Sequence, residues 1–412
     1  MRAPAATPKQ QQAHAGIEAE YLARTTRSAA WSERAGQVLP GGETRAVTSY
    51  PPYPVVVVQA QGARLEDADG RSYLDLVNNY TSLVHGNAFA PVTDAVAALL
   101  PGGVAFASPH PAQIELAERL CSRVDSVERV RFTNSGTEAS LLAVRIAQRA
   151  TRRSRILLFE GAYHGSASAL TAGCHDVVTV PWNDIERATE VLATGTAAAV
   201  FAEPFLGAGG VRPAAPGFLA ALELVAKANG TLFVVDEVQS LRVGPRGAQG
   251  LAGLTPDLTI FGKIIGGGFP IGAVGGRTDL MNLTVASLTP DHVAHAGTFN
   301  GHLAAAVAGR VTLDRLDTPA IDRLNAAAAT LADRIGAASV AAGVAAEVTR
   351  AGSILNVHFD NPAHWAPMHL ALLLEGVYAA PRGMANLSTA LTEADLRDVA
   401  DAYARAFARV AG

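Results

Sequence analysis

Between Ala112 and Ala308, seven short apolar runs alternate with stretches of helical period, and this alternation leaves the chain few folds to adopt. The runs are Arg129–Phe132, Arg155–Phe159, Val177–Val180, Ala198–Ala202, Leu232–Val235, Leu258–Phe261 and Ala273–Gly275. Most are nearly continuous in apolar character, as a strand is when both of its faces are covered. Helical stretches such as Glu138–Ala150 and Phe218–Ala228 separate several of them. The pattern predicts an α/β fold built on a mainly parallel sheet. Ligands of such sheets bind outside the carboxyl ends of the strands, so chemistry is expected in the residues that follow each run.

The flanks read differently. Residues 1–16 are rich in Ala, Pro and Gln and have neither the apolar core of a signal peptide nor an Arg-rich amphipathic pattern, which predicts a flexible tail on a cytoplasmic protein. Residues 17–75 form an N-terminal segment: a helical pattern to about Val38, then short strands around Gln61-Gly62. A large domain is expected over residues 76–310. Residues 311–412, with an Ala-rich helix, a strand at Ser353–Phe359 and a last helix at Glu393–Val410, are expected to form a smaller α+β domain with the N-terminal segment. The net charge of −4 and the lack of a basic stripe argue against nucleic acid, and no apolar run is long enough to span a bilayer. Cys121 and Cys174 form no CxxC pair and read as buried free thiols. No HExxH motif or zinc-spaced Cys/His cluster appears, so no metal site is expected.

Positive charge in this chain is almost all arginine. Of 33 basic residues only Lys9, Lys227 and Lys263 are lysines. Lys9 falls in the polar N-terminus and Lys227 on a solvated helix face. Lys263 follows the run Leu258–Phe261 and precedes Gly266-Gly267-Gly268. Arginine would serve as a charge there, but only an amine whose pKa falls on burial can attack a carbonyl and form a Schiff base. Snorkelling from a strand end is the simpler alternative.

Two further strand ends supply complementary groups. Thr133-Asn134-Ser135-Gly136-Thr137-Glu138 lies between a strand and a helix, where small residues and a helix N-terminus can hold a phosphate or merely cap the helix. Asp236 ends the run Leu232–Val235, where a carboxylate can pair with a protonated ring nitrogen or bind a metal. The latter use in a nucleotide hydrolase needs a GxxxxGK[ST] loop, which the chain lacks. A phosphate cradle, a carboxylate for a pyridine nitrogen and an amine for an aldehyde match the three handles of pyridoxal 5′-phosphate (PLP).

With those residues in hand, the chain resembles a class III (subgroup II) aminotransferase of PLP fold type I over nearly its whole length. The matching stretches are Phe132–Ala139, Gly161–Gly165, Ala202-Glu203-Pro204, Val235–Gln239, Phe261–Gly268 and Gly297–Gly301. The resemblance implies a large PLP-binding domain with a mainly parallel central sheet plus a smaller α+β domain. It implies Lys263 as the Schiff-base lysine and proton carrier, Asp236 on the pyridine nitrogen, and Ser135, Gly136 and Thr137 on the phosphate. Tyr163 and Val238 would cover the two faces of the ring. Gln239 would bond its hydroxyl and Glu203 would support that side. Thr298 would reach the phosphate of a neighbouring subunit, so a homodimer with interface sites is implied.

Two branches of the family compete. Glutamate-1-semialdehyde 2,1-aminomutases share the Gly262–Gly268 segment and a segment like Gly161–Gly165. β-Amino-acid (β-phenylalanine-type) aminotransferases resemble the chain further at Gly42–Val47, Ala294–Asn300 and Tyr378–Gly383, where Arg45 and Arg382 would bind the substrate carboxylate. The implied activity is ping-pong transfer of an amino group, from a β-amino acid to a 2-oxo acid, through an aldimine of Lys263. The alternative is an isomerase, either an aminomutase or an epimerase. Gln239 stands where both branches usually carry Met. Asn78–Thr81 and His85-Gly86-Asn87 depart from the usual pattern on the substrate side. Tyr50, Tyr53, Phe89 and Met384 are expected to give that side a partly apolar character.

Overall fold

The computed structural model describes residues 7–411. It divides into two compact units. The larger comprises Thr81–Val84 and Ala90–Asp322; the smaller comprises the described residues up to Tyr80, His85–Phe89 and those from Arg323 onward.

All seven predicted strands of the larger unit are present: β1 (Arg129–Thr133), β2 (Arg155–Phe159), β3 (Val177–Val180), β4 (Ala197–Ala202), β5 (Leu232–Asp236), β6 (Leu258–Gly262) and β7 (Gly272–Gly276). They form one sheet in the order β1-β7-β6-β5-β4-β2-β3. Four neighbouring pairs run parallel, and β7 alone runs antiparallel to both of its partners. The mixed sheet is α/β, with β4, β6 and β7 buried along their whole lengths. Helices α1 (Gly136–Thr151) and α2 (Phe218–Ala228) turn apolar stripes inward. Ile146, Phe201, Ile260 and Val274 meet in one apolar cluster and Leu222, Val200, Phe233 and Val235 in another. Burying side chains of this size stabilises the fold by about 1.5–3 kcal/mol each.

The register aligns the strand ends. Gly272 of β7 faces both Thr133 and Gly262, and Asp236 faces Ile260. One edge of the sheet therefore carries the Thr133 loop, residue 263 and Asp236 together. Two close approaches fix this edge. A Cβ at Gly272 would lie 2.1 Å from the Ser135 carbonyl oxygen, and one at Gly309 would lie 1.7 Å from the Ile265 carbonyl oxygen. Only glycine lets the 133–137 loop and the helix Leu303–Arg315 come that near.

In the smaller unit, an antiparallel hairpin of Val57–Gln61 and Arg64–Asp67 continues to Ser72–Asp75, and a three-stranded sheet contains Ile354–Phe359. The expected flexible tail is corrected in part: Met1 to Ala6 lie outside the described residues, but Pro8–Arg24 is one helix. Thr7 accepts from Gln10 N–H, Gln10 reaches back to Thr7, and Pro8 opens the helix, which together nucleate it. The predicted single helix to Val38 is two, because Asp69 takes the N–H groups of Arg27 and Ser28 at 2.7 and 2.9 Å and starts a second helix at Thr26. Cys121 and Cys174 are free, but half-buried instead of buried.

Candidate active site

Lys263 lies immediately after β6 and has a left-handed backbone, with φ at 52°. A non-glycine residue in that region is strained, and such strain persists only where surroundings impose it. Burial lowers the Lys263 pKa, and the Asp236 and Glu203 carboxylates oppose the shift only in part. The amine is therefore more easily deprotonated than an exposed lysine, as a nucleophile requires.

Asp236, at the end of β5, is 5 % exposed. One of its carboxylate oxygens accepts from the Val238 N–H at 2.9 Å and the other meets His164 Nδ1 at 2.8 Å. Burial alone would lower the His164 pKa, but the bond to Asp236 and the charges of Asp236 and Glu203 raise it above the ordinary imidazole value. His164 is thus locked to Asp236 in the core and holds a proton more readily than an ordinary imidazole. Its Nε2 is buried without a partner. Sequence reasoning quoted the segment Gly161–Gly165 but gave His164 no role. The available signal was a polar residue beside Tyr163 in the loop after β2.

Glu203 follows β4 and accepts from the Tyr163 and Gly207 N–H groups, each at 3.0 Å. Burial pushes its carboxyl up to about 7, against His164, which lowers it, and with Asp236, which raises it. Gly207 carries Gln239: a Cβ there would come within 2.6 Å of the Gln239 carboxamide, whose Oε1 is buried and unpartnered. Val238 packs between Gly136 and Gly262, where added Cβ atoms would stand 3.2 and 3.3 Å from its methyls.

Ser135 is the N-cap of α1, its hydroxyl accepting from Glu138 N–H at 3.2 Å. Gly136 and Thr137 form the first turn, where unpaired N–H groups and the helix dipole favour an anion. Glu138 accepts from Asn134, which donates to Asn300 at 3.1 Å. Asn300 also meets His295, so the segment bearing Thr298 is tied to the phosphate-loop residue Asn134 of the same chain. Thr298 is exposed, as is the Tyr163 ring at 54 %.

These residues fit PLP. The helix N-terminus suits a phosphate, the Asp236–His164 pair a ring N–H, the unpartnered Gln239 oxygen a hydroxyl donor, and Lys263 an aldehyde.

The predicted substrate arginines lie in the smaller unit. Arg45 precedes a short turn at Ala46–Thr48 and donates from Nη1 to Asn79 Oδ1 at 2.8 Å. Arg382 lies between the strands Val377–Tyr378 and Met384–Asn386. Both are exposed, and neither has a carboxylate partner among the described residues. Both bear electrostatically on the Tyr80 phenol. Tyr50 and Met384, expected to colour the substrate side, are buried; Tyr50 packs edge-on against His369 with centroids 4.3 Å apart.

A lysine, a carboxylate and a helix N-terminus at one sheet edge define a PLP site of the fold type I class. The aminotransferase class-III family matches residues 46–183 and 182–395, and the chain belongs to that family. It is 36 % identical to the β-phenylalanine transaminase of Variovorax paradoxus over 386 residues, 88 % of each chain. It is also 36 % identical to the glutamate-1-semialdehyde 2,1-aminomutase of Sorangium cellulosum over 414 residues, covering 90 % of this chain and 94 % of that one. Among solved structures, an omega-transaminase from Sphaerobacter thermophilus aligns with a TM-score of 0.90 at 36 % identity, over 93 % of this chain and 98 % of that one. Class III aminotransferases depend on PLP, and this chain is a PLP-dependent aminotransferase.

Proposed function

We propose that the protein is a cytoplasmic homodimer that moves an amino group from a β-amino acid to a 2-oxo acid by a ping-pong cycle. The observation that carries this reading is the Arg45–Asn79 and Arg382 environment: two guanidiniums without carboxylate partners among the described residues, in a chain 36 % identical to a β-phenylalanine transaminase. When bound, PLP supplies an electron sink for the bond broken at the substrate carbon. Lys263 would hold the cofactor and, as a free amine, would carry the substrate's proton. Asp236, paired with His164, would keep the ring nitrogen protonated. Ser135, Gly136 and Thr137 hold the phosphate on the α1 dipole, and Thr298 of the neighbouring subunit completes that grip. Tyr163 and Val238 cover the ring, Gln239 holds its hydroxyl, and Glu203 supports the Tyr163 and Gly207 backbone. Arg45 and Arg382 bind the carboxylate bidentately.

A second reading is an isomerase, an aminomutase or an epimerase, which the 36 % identity to an aminomutase supports. Incubating the PLP-loaded enzyme with a β-amino acid and no acceptor separates them. A transaminase releases one equivalent of keto acid per site and stops. An isomerase returns a rearranged or inverted amine over many turnovers.

A further inference from the structure

Resting on the reading of Arg45 as a carboxylate binder, we propose that Asn79 is a positioning residue that sets the enzyme's preference for carboxylate-bearing donors by orienting the Arg45 guanidinium. Four consecutive non-glycine residues, Asn78, Asn79, Tyr80 and Thr81, have positive φ values of 46°, 48°, 53° and 75°. Sterics disfavour this backbone for residues that carry a Cβ, so a whole left-handed turn is retained against a penalty. Its contacts show what the turn achieves. Asn78 is anchored beneath it: its backbone N–H and that of Val77 donate to Asp75 at 2.8 and 2.9 Å, and its amide nitrogen donates to Asn386 at 2.9 Å. Above it, Asn79 Oδ1 accepts from Arg45 Nη1 at 2.8 Å, and the Tyr80 hydroxyl donates to the Val47 carbonyl at 2.5 Å. Two adjacent residues of the strained turn thus clamp the side chain and the loop of the same arginine.

The acceptor is an amide oxygen engaging one of the five donors on the guanidinium. The rest of the fork stays available for a bidentate carboxylate. Arg382 bears on the same Tyr80 phenol, so a second guanidinium flanks the clamp. Asparagine is among the few residues that accept a left-handed backbone and also present a side-chain oxygen.

The test uses the PLP-loaded enzyme and three variants. Asn79→Gly keeps the backbone conformation and removes only the amide. It should weaken the apparent affinity for a β-amino acid in the donor half-reaction about five- to tenfold, with the limiting rate within twofold of the parent. Its dissociation constant for an unreactive β-aryl propanoate, measured by calorimetry, should rise in step, and its rate with an amine lacking a carboxylate should not change. Asn79→Asp keeps an oxygen at the same place but gives Arg45 a carboxylate of its own, which competes with the substrate's, so it should weaken carboxylate affinity at least as much as Asn79→Gly. Arg45→Ala separates the two claims. If it leaves carboxylate affinity intact, the reading of Arg45 is wrong. If Arg45→Ala loses that affinity but Asn79→Gly keeps it, or Asn79→Asp binds carboxylates as tightly as the parent, the positioning role of Asn79 is overturned.

Discussion

Lys263 and Arg45 are both cations assigned to bind reacting molecules, yet their surroundings are opposite. Lys263 follows a strand that is buried end to end, near two carboxylates that are themselves held by His164 and by backbone N–H groups. Arg45 is exposed and held by one amide on a left-handed turn. On the proposed reading, the cofactor chemistry is built into the core, while substrate choice rests on a few surface contacts. Core chemistry should therefore fail abruptly when altered, and substrate choice should shift by degrees.

The sharpest break is at Lys263. Lys263→Ala should lower turnover by about 10³-fold or more and abolish the covalent adduct trapped by borohydride, read by mass spectrometry of the reduced protein. Retained activity would remove the covalent role.

Next is the buried carboxylate network, whose effect shows in the cofactor-free protein. The Glu203 carboxyl is raised from 4.5 to about 7, so the folded state keeps a proton that the unfolded chain releases between those values. Stability from this group is full below about pH 4.5 and is lost as pH rises through 7. Relative to Glu203→Gln, which stays neutral, the parent should lose up to about 3 kcal/mol between pH 5 and 8 in urea unfolding. A difference that is flat with pH, or that grows in the other direction, contradicts the assignment.

The surface side should give a graded response. Arg45→Ala should raise the KM for carboxylate-bearing donors roughly ten- to a hundredfold, with a smaller change in kcat, in steady-state assays across an amine panel. An equal loss for amines without a carboxylate would place the defect elsewhere.

The same contrast governs what could be read before any coordinates existed. Strands covered on both faces announce themselves as continuous apolar runs, so all seven were legible within a residue or two of their ends. Lys263, Asp236 and the Ser135 loop were legible because each follows such a run. His164 was not: its partner Asp236 lies 72 residues away, and only the sheet brings them together. The helix break at Thr25 was hidden for a like reason, since its cap comes from Asp69. The helix at Pro8–Arg24 was legible and overlooked, because Thr7, Pro8 and Gln10 form a capping box amid residues whose composition reads as a tail. Tyr50 shows how weak aromatic composition is as a guide, for it is packed against His369 in the core.

The left-handed backbone at Lys263 has a consequence for the protein's lifetime. A position that must hold an amine is also one where a lysine backbone is strained, so natural selection for activity here opposes durability. Two variants that both lack the amine isolate the backbone part. Lys263→Gly should be more stable than Lys263→Ala by about 1 kcal/mol, the reverse of the usual order of these two residues in helices and strands. A thermal melt in which the alanine variant is the sturdier would mean that the turn relaxes once the lysine is gone. In that case the side chain bends the backbone, and the fold does not.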